Sequence, residues 1–354
     1  MRYLLWILVV GLILGLLNSE PAVFAKESKT TIRVGHFPNV THAQGVIGQA
    51  NGWFEKALGK NVEVDWKIFN AGPSAIEALF AGQIDLTYIG PNPAINGYVK
   101  SRGEALRIIA GAASGGAALV VRAGSGIKGV KDFDGKKIAS PQLGNTQDVA
   151  LRSWLNENGF KLREKGGTVQ VVPLANPDQL TLFLRKEIDG AWTVEPWVSR
   201  LIFDGGGKLF LNESDLWTDG KYVTTHLVVS TKFFKEHPDL VKKWVAAHVE
   251  LTNWINKNPE EAKIVLNEEL KRETGKALPQ EILNESMKRI DFTYDPIANS
   301  LFKSANSAFE LGFLGGVQPD LSNIYDLTIL NRVLKQKGLE PVKIGIKKQQ
   351  AKNK

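Results

Sequence analysis

A chain of 354 residues, 43% hydrophobic and 23% charged, is long enough for about two globular domains and too apolar for an intrinsically disordered protein. It has no cysteine, which excludes disulfide staples, thiolate metal sites, a cysteine nucleophile and a lipidated N-terminal cysteine. The formal charge of +7 is scattered, with Glu between the Lys residues of 258–272, and no aromatic–basic stripe accompanies it, so nucleic acid is not an expected partner.

The chain opens on Arg2, an apolar run over 3–17, polar Asn18-Ser19-Glu20, and Val23-Phe24-Ala25. This is the pattern of a secretory signal, residues 1–25, with cleavage after Ala25. The run is shorter than the ~20 residues of a membrane span. An uncleaved N-terminal anchor is the other reading. Either places the protein in the periplasm or on the extracytoplasmic face.

From Thr30 onward, apolar strand-like runs alternate with amphipathic ones. Strands are expected at 31–35, 61–69 and 84–89, with helices at 43–57 and 73–81. The order recurs after Ser125: strands at 137–140, 168–174 and 188–192, helices at 146–158 and 177–186. Pro73 and Pro177, Ile84-Asp85 and Ile188-Asp189, and Tyr88 and Trp192 stand at one common offset. Thr41 and Thr146, and the Asn-Gly pairs at 51–52 and 158–159, match within a few positions of it. Asn-Gly suits a left-handed helix end, and Pro a helix start. The fold class is therefore α/β: two similar lobes, each a sheet of parallel strands flanked by helices. The rest reads as helices at 238–257, 259–270, 279–289, 296–312 and 325–337, packed on the first lobe. Lobe 1 is expected at 30–122 and 228–340, lobe 2 at 123–227, with crossings near 121–126 and 222–228. A disordered basic tail is expected at 341–354.

In such sheets ligands bind beyond the carboxyl ends of the strands, where helix N-termini present unpaired N–H groups suited to anions. Four loops fall there: 35–42, with His36, Asn39, Thr41 and His42; 70–73, with Gly72; 90–93, with Pro91 and Asn92; and 142–147, with Gly144, Asn145, Thr146 and Gln147. None contains Lys or Arg. Each residue could instead be a simple cap or turn. Trp192 could flank a ligand or pack in the core. Glu195 could meet a cationic amine or cap the next helix, the cap being preferred. His226 lies near a crossing and could reach a ligand.

Several of these stretches resemble the sulfonate/nitrate/taurine class of ABC-importer binding proteins, the aliphatic-sulfonate binders most closely. They are Ile32-Arg33-Val34-Gly35; Phe69-Asn70-Ala71-Gly72-Pro73 with Glu77-Ala78-Leu79; Gly82-Gln83-Ile84-Asp85-Leu86; Gly90-Pro91-Asn92-Pro93; and Asp189-Gly190-Ala191-Trp192 with Glu195-Pro196-Trp197. The likeness covers about residues 30–340. It implies the type II periplasmic-binding-protein fold, a small anionic ligand, an ABC permease with its ATPase as partners, and a monomer. By position it implicates His36, Asn39, Gly72, Asn92, Asn145, Thr146 and Trp192 in ligand contact. The sequence departs from the class at His36-Phe37, at Gly144-Asn145-Thr146-Gln147 and at Glu195. Nitrate, bicarbonate, taurine and pyrimidine-precursor binders share the architecture, and a ligand-sensing subunit would too. No nucleophile elbow, His-Glu-x-x-His pair or Walker loop is present, so no enzyme, catalytic residue, metal or cofactor is expected. Asp85 and Asp189 are read as structural counterparts rather than a catalytic pair.

Overall fold

The computed structural model describes residues 29–345; the expected signal segment and the tail beyond residue 345 lie outside the described residues. Strand β1 (Thr30–His36) buries Ile32, Val34 and His36 completely, the period of two that a strand imposes. Helices α1 (Ala43–Asn51) and α2 (Trp53–Leu58) follow, then β2 (Val62–Ile68), α3 (Gly72–Phe80), β3 (Leu86–Ile89), α4 (Pro91–Lys100) and β4 (Leu106–Gly115). The single helix expected over 43–57 breaks at Gly52, whose φ of 58° is the left-handed stop that Asn51-Gly52 signals.

The second series is β5 (Ala117–Val121), β6 (Lys137–Ser140), α5 (Thr146–Glu157), β7 (Gln170–Pro173), α6 (Asn176–Leu184), β8 (Gly190–Val194), α7 (Trp197–Phe203) and β9 (Lys208–Asn212). The chain then returns through β10 (Val223–Ser230), α8 (Thr231–Glu236), α9 (Pro238–Lys257), α10 (Pro259–Thr274), α11 (Gln280–Lys288), β11 (Ile290–Phe292), α12 (Ala298–Glu310) and α13 (Thr328–Gln336).

Two sheets result, ordered β11-β4-β10-β3-β1-β2 and β7-β6-β8-β5-β9. Both are mixed, which corrects the expectation of parallel sheets. The β1–β2, β1–β3, β6–β7 and β6–β8 pairs are parallel, whereas β10 runs antiparallel between β3 and β4, and β5 antiparallel beside β8. The lobe boundaries also move. All of β5 belongs to the second sheet and all of β10 to the first, so the crossings fall at Gly115-Gly116 and just before Val223. Gly115 and Gly116 have φ of 82° and 77°, and a Cβ on Gly115 would stand 2.5 Å from the Arg289 carbonyl. Only glycine fits such a reversal against neighbouring backbone.

The repeat reaches down to side chains. Asp85 accepts the backbone N–H of Arg33 at 2.9 Å, and Asp189 accepts that of Lys137 at 3.0 Å, each beside an arginine. The two carboxylates thus close matching strand starts in separate lobes. The C-terminal helices extend the first lobe's core: Trp244 of α9 stacks on Phe54 of α2 at 3.9 Å. Burying one such side chain stabilises the fold by roughly 2–3 kcal/mol. Residues 341–345 correct the expected tail. Val342 is pinned to Asn331 by two hydrogen bonds, of 2.8 and 3.0 Å, and Ile344 packs against the core.

Candidate functional site at the lobe junction

The carboxyl ends of β1, β2 and β3 face the N-terminus of α5. Asn145 caps α5, its Oδ1 accepting the Thr146 N–H at 2.9 Å, and Gly144 supplies a φ of 75° to the turn before it. Asp148, in the first turn, is held by Ser140 Oγ at 2.6 Å, the Gly144 N–H at 2.9 Å and Arg152 Nε at 3.0 Å, so its charge is balanced locally. The first-turn N–H groups lack intrahelical acceptors and form a partial positive pole.

Around that pole lies a small notch. Asn39, Thr41, His42, Asn70 and Gly90 come from the first lobe, Thr224 from the start of β10, and Pro141, Asn145, Thr146, Gln147, Asn176 and Val194 from the second. The space is about 20 Å³, room for roughly one water. Residues of both lobes meet around it. The lining holds no Lys, Arg, Asp or Glu among the described residues.

Its donors are neutral. The Phe37 N–H points to Nδ1 of His42 at 3.4 Å, which leaves the His42 proton on Nε2. Burial, with His36 nearby, holds His42 well below its ordinary pKa, so the imidazole is uncharged. Asn176 Oδ1 accepts from Gln179 at 3.3 Å and from Thr193 at 3.2 Å, leaving its amide N–H groups to face outward. Thr224 Oγ1 donates to the carbonyl of Gly115, tying the notch to the first crossing.

Phe37, Asn39, Asn70 and Asn176 also border a larger cavity of about 460 Å³. Its walls are mixed: Phe69, Leu270, Leu278 and Trp197 beside Arg200, Asp204, Glu273 and Lys276. Both lobes contribute, and Trp197 Nε1 donates across the gap to Asn39 Oδ1 at 3.0 Å. Thr146 borders a third space, of about 110 Å³, with Pro91, Trp192, Glu213 and Ser304. A polar notch beside an amphipathic chamber can hold a small anion by its oxygens and shelter an attached organic group.

A family model described as the NMT1-like family matches residues 25–267. The chain belongs to the NMT1-like family. A Bacillus subtilis (strain 168) protein named for binding aliphatic sulfonates is 25% identical over 82% of this NMT1-like chain and 85% of its own. The taurine-binding periplasmic protein of Escherichia coli K12 is 28% identical over 60% of this chain and 63% of its own. Among solved structures, the alkanesulfonate-binding protein SsuA from Xanthomonas axonopodis pv. citri, bound to MOPS, is similar in fold with a TM-score of 0.68. It is 20% identical, covering 82% of this chain and 97% of its own.

In this NMT1-like chain the notch brings together Asn39, Thr41, Asn145, Thr146 and Gln147 of the residues expected at a ligand. The others stand elsewhere. His36 is corrected from a cleft position: it continues the buried face of β1, and its Nε2 meets Glu273 Oε1 at 2.6 Å. Asn92 is fully buried, bonded to Ser304 Oγ at 2.6 Å, and only its backbone N–H turns to Thr146 Oγ1 at 3.4 Å. Trp192 is a core residue whose indole donates to Glu213 at 2.8 Å. Glu195 caps α7 through the Ser199 N–H at 3.1 Å and hydroxyl at 3.0 Å and is fully buried; it also meets Ser286 Oγ at 2.9 Å and Arg289 Nε at 3.1 Å, both from the first lobe. It is a junction residue and does not border the notch. Gly72 packs under Pro93, Pro91 borders the 110 Å³ space, and Gly144 shapes the turn. His226 is buried at the carbonyl of Pro296, 3.1 Å away.

His42, a candidate from its loop, lines the notch with Phe37 and Asn70, which lie in the expected loops but were not singled out, and with Asn176 and Thr224, which lie outside those loops. Asn176 carried a usable signal, since it precedes Pro177 as Gly72 precedes Pro73. Thr224 carried none.

Proposed function

We propose that this protein is the extracytoplasmic solute-binding component of an ABC importer and captures a small organic anion, an aliphatic sulfonate in the first place, between its lobes. One observation carries the reading: a narrow notch of uncharged donors at a helix N-terminus, sharing four lining residues with a 460 Å³ chamber bordered by both lobes. Neutral N–H and O–H groups suit a tetrahedral or planar oxyanion. The chamber favours a ligand with an organic substituent over bare nitrate or bicarbonate, which would leave it unfilled. The names borne by the Bacillus and Escherichia relatives support the sulfonate class. Binding without turnover is favoured by the notch itself: among its described residues the one side chain with ordinary acid–base chemistry is His42, held neutral by burial. The N-terminal pattern favours export, and import would require a membrane permease and its ATPase as partners.

Mass spectrometry of small molecules carried by the purified protein, followed by calorimetry with alkanesulfonates, taurine, nitrate, bicarbonate and pyrimidine precursors, tests this. Tight binding of a sulfonate without chemical change is expected. Tight binding of nitrate alone would replace the ligand class, and conversion of a bound molecule would replace the importer reading with an enzyme. N-terminal sequencing of the exported protein should begin at Lys26; a chain retaining Arg2 would contradict cleavage.

A further inference from the structure

Five polar side chains of the notch have their acceptor atom already taken by a donor of the protein. Asn39 Oδ1 accepts from Trp197 Nε1 at 3.0 Å, and Asn145 Oδ1 from the Thr146 N–H at 2.9 Å. Asn176 Oδ1 accepts from Thr193 Oγ1 at 3.2 Å and from Gln179 Nε2 at 3.3 Å. Thr146 Oγ1 faces the Asn92 N–H, and His42 Nδ1 the Phe37 N–H, each at 3.4 Å. What these groups have left are donors: the three amide nitrogens, the Thr146 hydroxyl and the His42 Nε2–H. The amide nitrogens and His42 Nε2 have no partner among the described residues, and none is sealed from solvent although their residues are buried. Asn176 is held most firmly. Gln179 Nε2 is itself tied to the Leu174 carbonyl at 3.0 Å, so turning the Asn176 amide over would set N–H against N–H. Thr224 is the exception, its hydrogen given to the Gly115 carbonyl, and Thr41, Asn70 and Gln147 carry no fixing bond among the described residues.

We propose that Asn176 is a specificity residue: with its oxygen tied back, it admits an oxyanion whose oxygens are all bare and rejects one that still carries an O–H. The proposal rests on the anion-capture reading above, which places the head in the notch at α5. Gln179 and Thr193 are positioning residues, since they decide which end of the Asn176 amide meets the ligand. A sulfonate head is fully ionised and offers acceptors alone. A monoprotonated phosphonate, or bicarbonate, brings an O–H that lies against N–H donors and goes unpaired in a site where water is scarce. Selection by a group left unpaired when the wrong ligand binds is stronger than selection by fit in an apolar pocket.

The test uses the full chain and two probes of nearly equal shape, butane-1-sulfonate and butane-1-phosphonate, in calorimetry. At about pH 5 the phosphonate, like a phosphate ester with a second pKa of about 6, keeps one proton, so both probes carry a single negative charge. The wild type should prefer the sulfonate at least tenfold, equivalent to about 1.4 kcal/mol. Asn176→Asp keeps the shape and the bonds from Gln179 and Thr193, which favour its ionised form, and turns an acceptor toward the notch. Its preference should reverse, with the phosphonate bound more tightly than by the wild type. Asn176→Ala, which brings no acceptor, should show no such gain. Equal or tighter binding of the phosphonate by the wild type overturns the proposal and leaves anion capture standing. Failure of both probes to bind the wild type overturns the anion-capture reading and this one with it. A wild-type preference retained in Asn176→Asp, or a phosphonate gain as large in Asn176→Ala, overturns the role of Asn176. The wild-type ratio decides even if a variant does not fold.

Discussion

The Trp197 indole N–H of the second lobe donates to Asn39 Oδ1 of the first at 3.0 Å, and both residues border the notch or the chamber. The bond exists only when the lobes are closed, so it contributes to ligand affinity through closure. A neutral hydrogen bond is worth about 0.5–1.5 kcal/mol. Trp197→Phe should therefore weaken binding roughly two- to tenfold. Solution scattering of the ligand-saturated variant should show a larger radius than the wild type. An unchanged affinity would mean that the bond adds nothing to closure.

Thr146 offers its hydroxyl at the helix pole. Its Oγ1 is the acceptor for the Asn92 N–H, so its own hydrogen is available to a ligand. A hydrogen bond to a charged group contributes about 1.5–3 kcal/mol. Thr146→Val keeps the branched shape and should lower anion affinity roughly tenfold or more, whereas Thr146→Ser should retain most of it. Calorimetry on the two variants separates the hydroxyl from the methyl group.

Glu213 predicts a pH dependence of stability. Burial pushes its carboxyl up from 4.5 to about 7, against the opposing influence of the Trp192 and Trp217 indoles and of Lys303. Between those values the folded chain binds a proton that the unfolded chain has lost. Stability from this group is then greatest at acid pH and declines as pH rises toward 7, by roughly 3 kcal/mol in all. Glu213→Gln cannot ionise and should flatten the profile. Urea unfolding at about pH 5 and about pH 8 would show a smaller difference in the variant than in the wild type.

Glu195 is a cap and a junction at once. Glu195→Ala removes the acceptor for the Ser199 N–H and leaves Ser286 and Arg289 of the first lobe without their partner. Loss of the cap alone should cost about 1–2 kcal/mol in chemical unfolding. Scattering should also report a larger population of open molecules. A variant with lowered stability and an unchanged open fraction would confine Glu195 to the cap.

The repeat was legible because turn chemistry is local: Pro73 and Pro177 start helices, Asn51-Gly52 ends one, and Asp85 and Asp189 close matching strand starts. The first crossing was hidden. Residues 108–121 form one run of small and apolar residues, and nothing in its composition says that β4 and β5 belong to different sheets. His36 was misplaced although the alternation of Ile32 and Val34 continues through it and assigns it to the buried face. His42, at the start of α1, has no such parity; its place in the loop after β1 made it a candidate, and the structure puts it in the notch lining. Glu273 could not be assigned from sequence, since its partner is 237 positions away.

A notch lined by uncharged donors makes recognition stereochemical. Each N–H or O–H rewards an oxygen in a particular direction, and none rewards charge from a distance as an arginine would. Chloride, abundant in many waters but spherical and poor in directed lone pairs, should compete feebly there, and added salt should leave equilibrium affinity almost unchanged. On the solute-binding reading proposed above, such a notch would single out a scarce, shaped anion within a large excess of simple ones.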